Sequence, residues 1–163
     1  MKEKRIYLVI HGEIFPEIPD SDLTSLGKKQ MIEVKKDLPP SPALVISGTG
    51  KRHLQSAEIL GLEIDCYSEL IESGIITMNT SGIDYCLLPR GALIPLDKYL
   101  KGFNYEMESL QTMLQALPDK TIIIGGELTA IRLNHNGPPL PSILLLESQG
   151  DSKIMRLSQM ISY

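Results

Sequence analysis

An α/β layered domain is the fold class this sequence predicts, and three observations predict it. Apolar runs of strand length recur along the chain, "RIYLVI", "ALVISG" and "KTIIIGG". Segments with apolar residues at helical spacing lie between them. Turn and capping residues punctuate the alternation, among them Asp22, Thr24, Pro39, Pro40 and Gly61. At 163 residues, 42% of them apolar, the chain is long enough to bury a sizeable core and is expected to form one domain over residues 1–163.

Each element follows from its own pattern. "RIYLVI" is a continuous apolar strand that runs into His11 and Gly12. "DSDLTSLGKKQMIEVKKDLPP" places Leu26, Met31, Val34 and Leu38 near helical spacing, with Asp22 or Thr24 as cap and Pro39-Pro40 as stop. "ALVISG" predicts a second buried strand, "KRHLQSAEILG" a helix closed by Gly61, and "EIDCYS" a short third strand. Residues 69–102 mix apolar runs with turn residues and predict no clear element. "NYEMESLQTMLQAL" aligns Met107, Leu110, Met113, Leu114 and Leu117 on one helical face, a core stripe. "KTIIIGG" is a β-branched core strand and "ELTAIRL" a short helix. "SILLLESQGDSKIMRLS" predicts a hairpin turned at Gln149 to Asp151.

Composition narrows the function classes. The formal charge is −4, with no basic excess to hold nucleic acid. Tryptophan is absent and aromatics are sparse, so base-stacking platforms are not expected. The apolar start is too short for a secretory segment, and no run approaches the roughly 18 apolar residues of a membrane span. Cys66 and Cys86 are isolated, with no metal-ligand spacing, and suit a reducing compartment. The expectation is a cytoplasmic protein with no metal, no cofactor, no nucleic-acid partner and no membrane partner, open to homo-oligomerisation.

The chemistry gathers at strand ends. In a parallel α/β sheet, ligands collect where carboxyl ends of strands feed helix N-termini. One such end carries Ile10-His11-Gly12-Glu13, a second "SGTGKRH", and a third Gly125-Gly126-Glu127. A histidine, an arginine on a glycine loop and a glycine turn predict a pocket for an anion, phosphate above all. The Gly50-Lys51 pair is not a nucleoside-triphosphate loop. That motif needs a glycine five residues earlier and a hydroxyl residue next, and Val45 and Arg52 stand there.

With these motifs in place, the chain resembles the histidine phosphatase superfamily, whose best-known branch is the cofactor-dependent phosphoglycerate mutases. "IHGE" from Ile10 to Glu13 is similar to the family's "RHGE" opening, and "LTSLGKKQ" from Leu23 to Gln30 matches "LTxxGxxQ" in full. "SGTGKRHLQSA" from Ser47 to Ala57 loosely matches "SSPLxRAxQTA", and "PPLPSILLLESQG" resembles the terminal "NGSI…LE…G" hairpin. The resemblance spans nearly the whole chain and implies a three-layer αβα sandwich with a mostly parallel central sheet.

It also implies roles. His11 corresponds to the nucleophile that forms a phosphohistidine. Arg52 corresponds to the arginine that grips phosphate oxygens through its planar fork, and Glu72, in "LIE", to the proton donor of larger members. Gly12, Lys51, Arg52 and Gly126 are the expected phosphate contacts. Two of the family's pocket groups are replaced. Ile10 stands for the arginine of "RHG", and Gly126, or Gly125 in a shifted register, for a second histidine. Arg132 lies about a turn too far along to substitute. The loop "GEIFPEIPDSD" instead brings Glu13, Glu17, Asp20 and Asp22 beside the pocket, and His53 and His135 are expected at the surface.

Loss of one electrostatic donor typically costs on the order of a hundred- to a thousandfold in rate, and the two together roughly 10⁴ or more, without strict additivity. Three functional expectations follow. The first is a phosphatase-like protein that binds a phosphorylated or other anionic small molecule with little or no turnover. The second is an active phosphomonoesterase working through His11, with Lys51 helping to replace the missing charge. The third is a structural interaction protein with a vestigial pocket.

Overall fold

The computed structural model of the chain describes residues 4–15, 18, 20–68, 71, 75–78, 84–87, 93–95, 104–126, 129–130, 139–148 and 154–163. Among them a six-stranded sheet is built from β1 (Arg5–Ile10), β2 (Leu44–Ser47), β3 (Cys66–Tyr67), β7 (Thr121–Gly125), β8 (Ser142–Ser148) and β9 (Met155–Ser162), in the order β3-β2-β7-β1-β8-β9. The β1–β7, β2–β7 and β2–β3 pairs are parallel, whereas β8 runs antiparallel to both β1 and β9. The longer helices among the described residues are α1 (Ser25–Val34), α2 (Lys51–Leu60) and α3 (Asn104–Ala116).

Strand periodicity divides β1 between two cores. Val9 joins a cluster with Met31 and Val34 of α1 and Ala57 and Leu60 of α2, backed by Val45, Ile122 and Ile124. Ile6, Leu8 and Ile10 join the other, with Leu110 and Leu114 of α3, Ile46, Ile123, Leu144 and Leu146. Successive strand side chains point to opposite faces, so one sheet carries a helical layer on each side. This is the three-layer αβα arrangement that the sequence resemblance implies. No helix among the described residues is long and apolar enough to cross a membrane.

The helix boundaries have local causes. Thr24 caps α1, its hydroxyl accepting the Gly27 N–H at 3.0 Å. A 3₁₀ turn at Lys35–Asp37 then ends the helical segment, just short of Pro39 and Pro40. Gly61 closes α2 in the left-handed region at φ 69°, where a side chain would be strained. Leu26 departs from expectation. It is half exposed, and α1 buries Gly27, Met31 and Val34 instead. The helical repeat turns Leu26 outward once the Gly27 backbone has been drawn against the loop after β1.

Residues 69–102 yield a second, three-stranded antiparallel sheet of β4 (Ile75–Met78), β5 (Asp84–Leu87) and β6 (Leu93–Pro95). The hairpin of β8 and β9 forms as expected, though β9 continues to Ser162 and the turn at 149–151 lies outside the described residues. Pairing shifts between Leu145–Gln159 and Leu146–Leu157, which leaves Ser158 as the extra residue of a bulge. Its hydroxyl returns to the Leu145 carbonyl at 3.2 Å.

Candidate functional site

Three parallel strands end together. Ile10 is level with Gly125 across β1 and β7, Ser47 is level with Ile124 across β2 and β7, and the Gly48 N–H donates to the Ile124 carbonyl. The residues that follow, His11, the loop into α2 and Gly126, therefore leave the same end of the sheet.

His11 is 3% exposed, and its Nδ1 lies 2.8 Å from the Gly12 carbonyl oxygen. A carbonyl only accepts, so Nδ1 carries the proton and the lone pair falls on Nε2. Burial, reinforced by the Arg52 guanidinium, pushes the imidazole down to about 3, against the opposing pull of the Gly12 carbonyl. His11 is thus neutral near pH 7, with Nε2 unprotonated.

Arg52 and His53 come from the first turn of α2 and point inward. Arg52 is 1% exposed and is among the largest fully buried side chains. His53, expected at the surface, is wholly buried, and that expectation is corrected. Its ring stacks on His11 with centroids 5.8 Å apart and planes 22° from parallel. Neither of its nitrogens has a hydrogen-bond partner among the described residues. Desolvation first, then the charge of Arg52, hold it neutral, well below the ordinary histidine range. A signal for this was present in the sequence, since His53, Ala57 and Leu60 fall at i, i+4 and i+7 on the buried face of α2.

The loop after β1 is locked by the segment resembling "LTxxGxxQ". A Cβ on Gly12 would stand 2.5 Å from the Gly27 carbonyl oxygen, so the two backbones meet where no side chain fits. The Thr24 hydroxyl donates to Glu13 Oε1 at 3.0 Å, and Gln30 Oε1 accepts the Glu13 N–H at 3.2 Å. Thr24, Gly27 and Gln30 thus each hold the "HGE" turn that carries His11. Their spacing has a mechanical reason.

The remaining expected residues separate. The Lys51 side chain is exposed, while its backbone N–H donates to Asp20 Oδ1 at 2.9 Å. Asp22 Oδ1 accepts from Gln55 at 2.6 Å, and Gln55 accepts the Leu23 N–H at 2.8 Å, so these two acids fasten their loop to α2. Gly126 is buried, and its carbonyl accepts the N–H groups of Thr129 and Ala130. Ile10 is wholly buried in the α3-side core. Glu72, Glu17, Arg132, His135 and most of "ELTAIRL" lie outside the described residues.

No family model and no curated protein matches the sequence. Solved structures do. The protein TTHB049 from Thermus thermophilus is 18% identical with a TM-score of 0.65, over 98% of this chain and 99% of that one. Rv3214 from Mycobacterium tuberculosis is 14% identical with a TM-score of 0.64, over 96% of each chain. Mycobacterial glucosyl-3-phosphoglycerate phosphatase Rv2419c is 12% identical with a TM-score of 0.61, over 96% and 97%. At these identities the likeness shows the fold, which is phosphoglycerate mutase-like.

Proposed function

We propose that this phosphoglycerate mutase-like chain is a histidine phosphatase-type protein whose pocket binds a phosphorylated or other anionic small molecule with little or no turnover. The observation that carries the reading is the charge of the pocket. His11 and His53 are held neutral beside Arg52, while Ile10 belongs to the apolar core and Gly126 has no side chain to offer. Arg52 can grip anion oxygens through its planar donors. Among the described residues Arg52 is the one guanidinium set beside both rings, and a phosphoryl group in transfer needs more compensation than that.

An active phosphomonoesterase is the second reading, and the tautomer of His11 favours it. A neutral ring with its lone pair on Nε2 can attack phosphorus, break the P–O ester bond and later release the phosphoryl group to water. The departing alkoxide needs a proton, for which Glu72 is the candidate. One structural neighbour is named a glucosyl-3-phosphoglycerate phosphatase and another a mycobacterial hydrolase, which supports phosphoester hydrolysis as the reaction class to test.

A panel of generic phosphomonoesters, assayed alongside phosphate titration by NMR, separates the readings. Phosphate shifts on His11 and Arg52 with negligible hydrolysis support the binding protein. Brisk hydrolysis abolished by His11→Ala overturns it in favour of the esterase. The absence of both leaves an interaction protein with a vestigial pocket.

A further inference from the structure

We infer that His53 is the second imidazole of this pocket, donating its ring N–H to an oxygen of the anion bound beside His11 and Arg52. The inference rests on the anion-binding reading above and adds a ligand contact from α2.

A neutral imidazole always carries one N–H and one lone pair. Both nitrogens of His53 are buried and neither meets a hydrogen-bond partner among the described residues. A buried ring held by the fold alone has its N–H satisfied within the protein, as the Gly12 carbonyl satisfies Nδ1 of His11. His53 has the desolvation cost of a polar ring without that compensation, so an apolar side chain would serve packing better. The missing acceptor is accounted for if it arrives with the ligand.

The ring geometry selects the ligand's sign. Planes 22° apart with centroids at 5.8 Å set the two imidazoles side by side, rather than converging their lone pairs on one cation. The Arg52 charge acts on both rings and opposes a metal ion there. It favours an anion whose oxygens accept from the guanidinium and from an imidazole N–H together. His53 thereby places a side-chain donor at the pocket from the helix side, whereas Gly126 offers no side chain at the end of β7.

Sulfate is the probe, titrated into the full chain while imidazole nitrogens are followed by ¹⁵N NMR. Binding is expected to move the ring resonances of both His11 and His53. His53→Phe, which keeps a stacked ring but no donor, is expected to weaken sulfate affinity roughly ten- to a hundredfold, the range for a hydrogen bond to a charged group. Equal affinity in wild type and His53→Phe, or a His53 signal that stays still while His11 moves, makes His53 a packing residue and leaves the anion-binding reading intact. No response of His11 to sulfate overturns both. The wild-type ring signal decides the matter even if the variant fails to fold.

Discussion

Gly12 and Gly27 meet backbone to backbone, where a Cβ on either would run into the other's loop. This contact seats the N-terminal turn of α1 under the peptide that carries His11. Gly27→Ala should therefore destabilise the fold by about 1–3 kcal/mol, the usual cost of overpacking a closed site. It should also disturb the ring signals of His11 more than those of distant residues. Urea unfolding and NMR check both, and an unchanged unfolding midpoint would mean that the loop yields freely.

Acid should weaken the protein through its buried histidines. The unfolded His11 takes a proton below its ordinary 6.5, while the folded one resists down to about 3. The unfolded state then binds more protons, so stability is fully present above about pH 6.5 and is lost as pH falls toward 3. Each such group adds a slope of up to about 1.4 kcal/mol per pH unit in that window, and His53 acts in the same sense. His11→Asn should flatten the dependence. Parallel slopes for wild type and variant between about pH 6 and 4 would remove His11 as the cause.

Placing an arginine at position 10 should be costly by itself. Ile10 is wholly buried among Leu8, Ile71 and Leu110, and an uncompensated buried charge destabilises by roughly 3 kcal/mol or more. Sulfate should raise the Tm of Ile10→Arg more than that of wild type, because the new charge gains an anion. A variant as stable as wild type in low-salt buffer would contradict this placement.

Asp20 holds the first residue of α2 through the Lys51 N–H, from a backbone at φ 49°. Asp20→Ala loses the acceptor and keeps the left-handed strain, so it should cost about 1 kcal/mol. Asp20→Gly should cost less, since glycine occupies that region freely. Thermal unfolding of the pair checks the order, and a more stable alanine variant would refute the capping role.

Much of the architecture is legible in the sequence because its signals are local and repeated. Thr24 and Gly61 mark helix ends by chemistry that acts within a turn. The strands "RIYLVI" and "KTIIIGG" carry unbroken apolar runs, Ile6–Ile10 and Ile122–Ile124, because both of their faces are covered. The pairing of His11 with Arg52 follows from strand order and motif spacing. His53 misleads because its polarity argues for solvent while its helical position argues for burial, and position prevails. Leu26 misleads in the opposite sense, an apolar side chain displaced outward by a contact of its neighbour Gly27. The short strands of residues 69–102 carry too few residues each to declare a period.

The position of β1 has a consequence for how the chain comes to be folded at all. Ile6 pairs with Thr121 on one side and Leu146 on the other, so β1 lies between two strands that are made long after it. A nascent chain emerging from the ribosome carries this apolar strand and His11 long before either neighbour exists. The central sheet can close only after β7 and β8 have been synthesised, and contacts of such long sequence separation form slowly. During that interval β1 has two open edges exposed to association with other chains. Chaperone dependence in expression, and aggregation of chains truncated before β8, follow from the strand order alone.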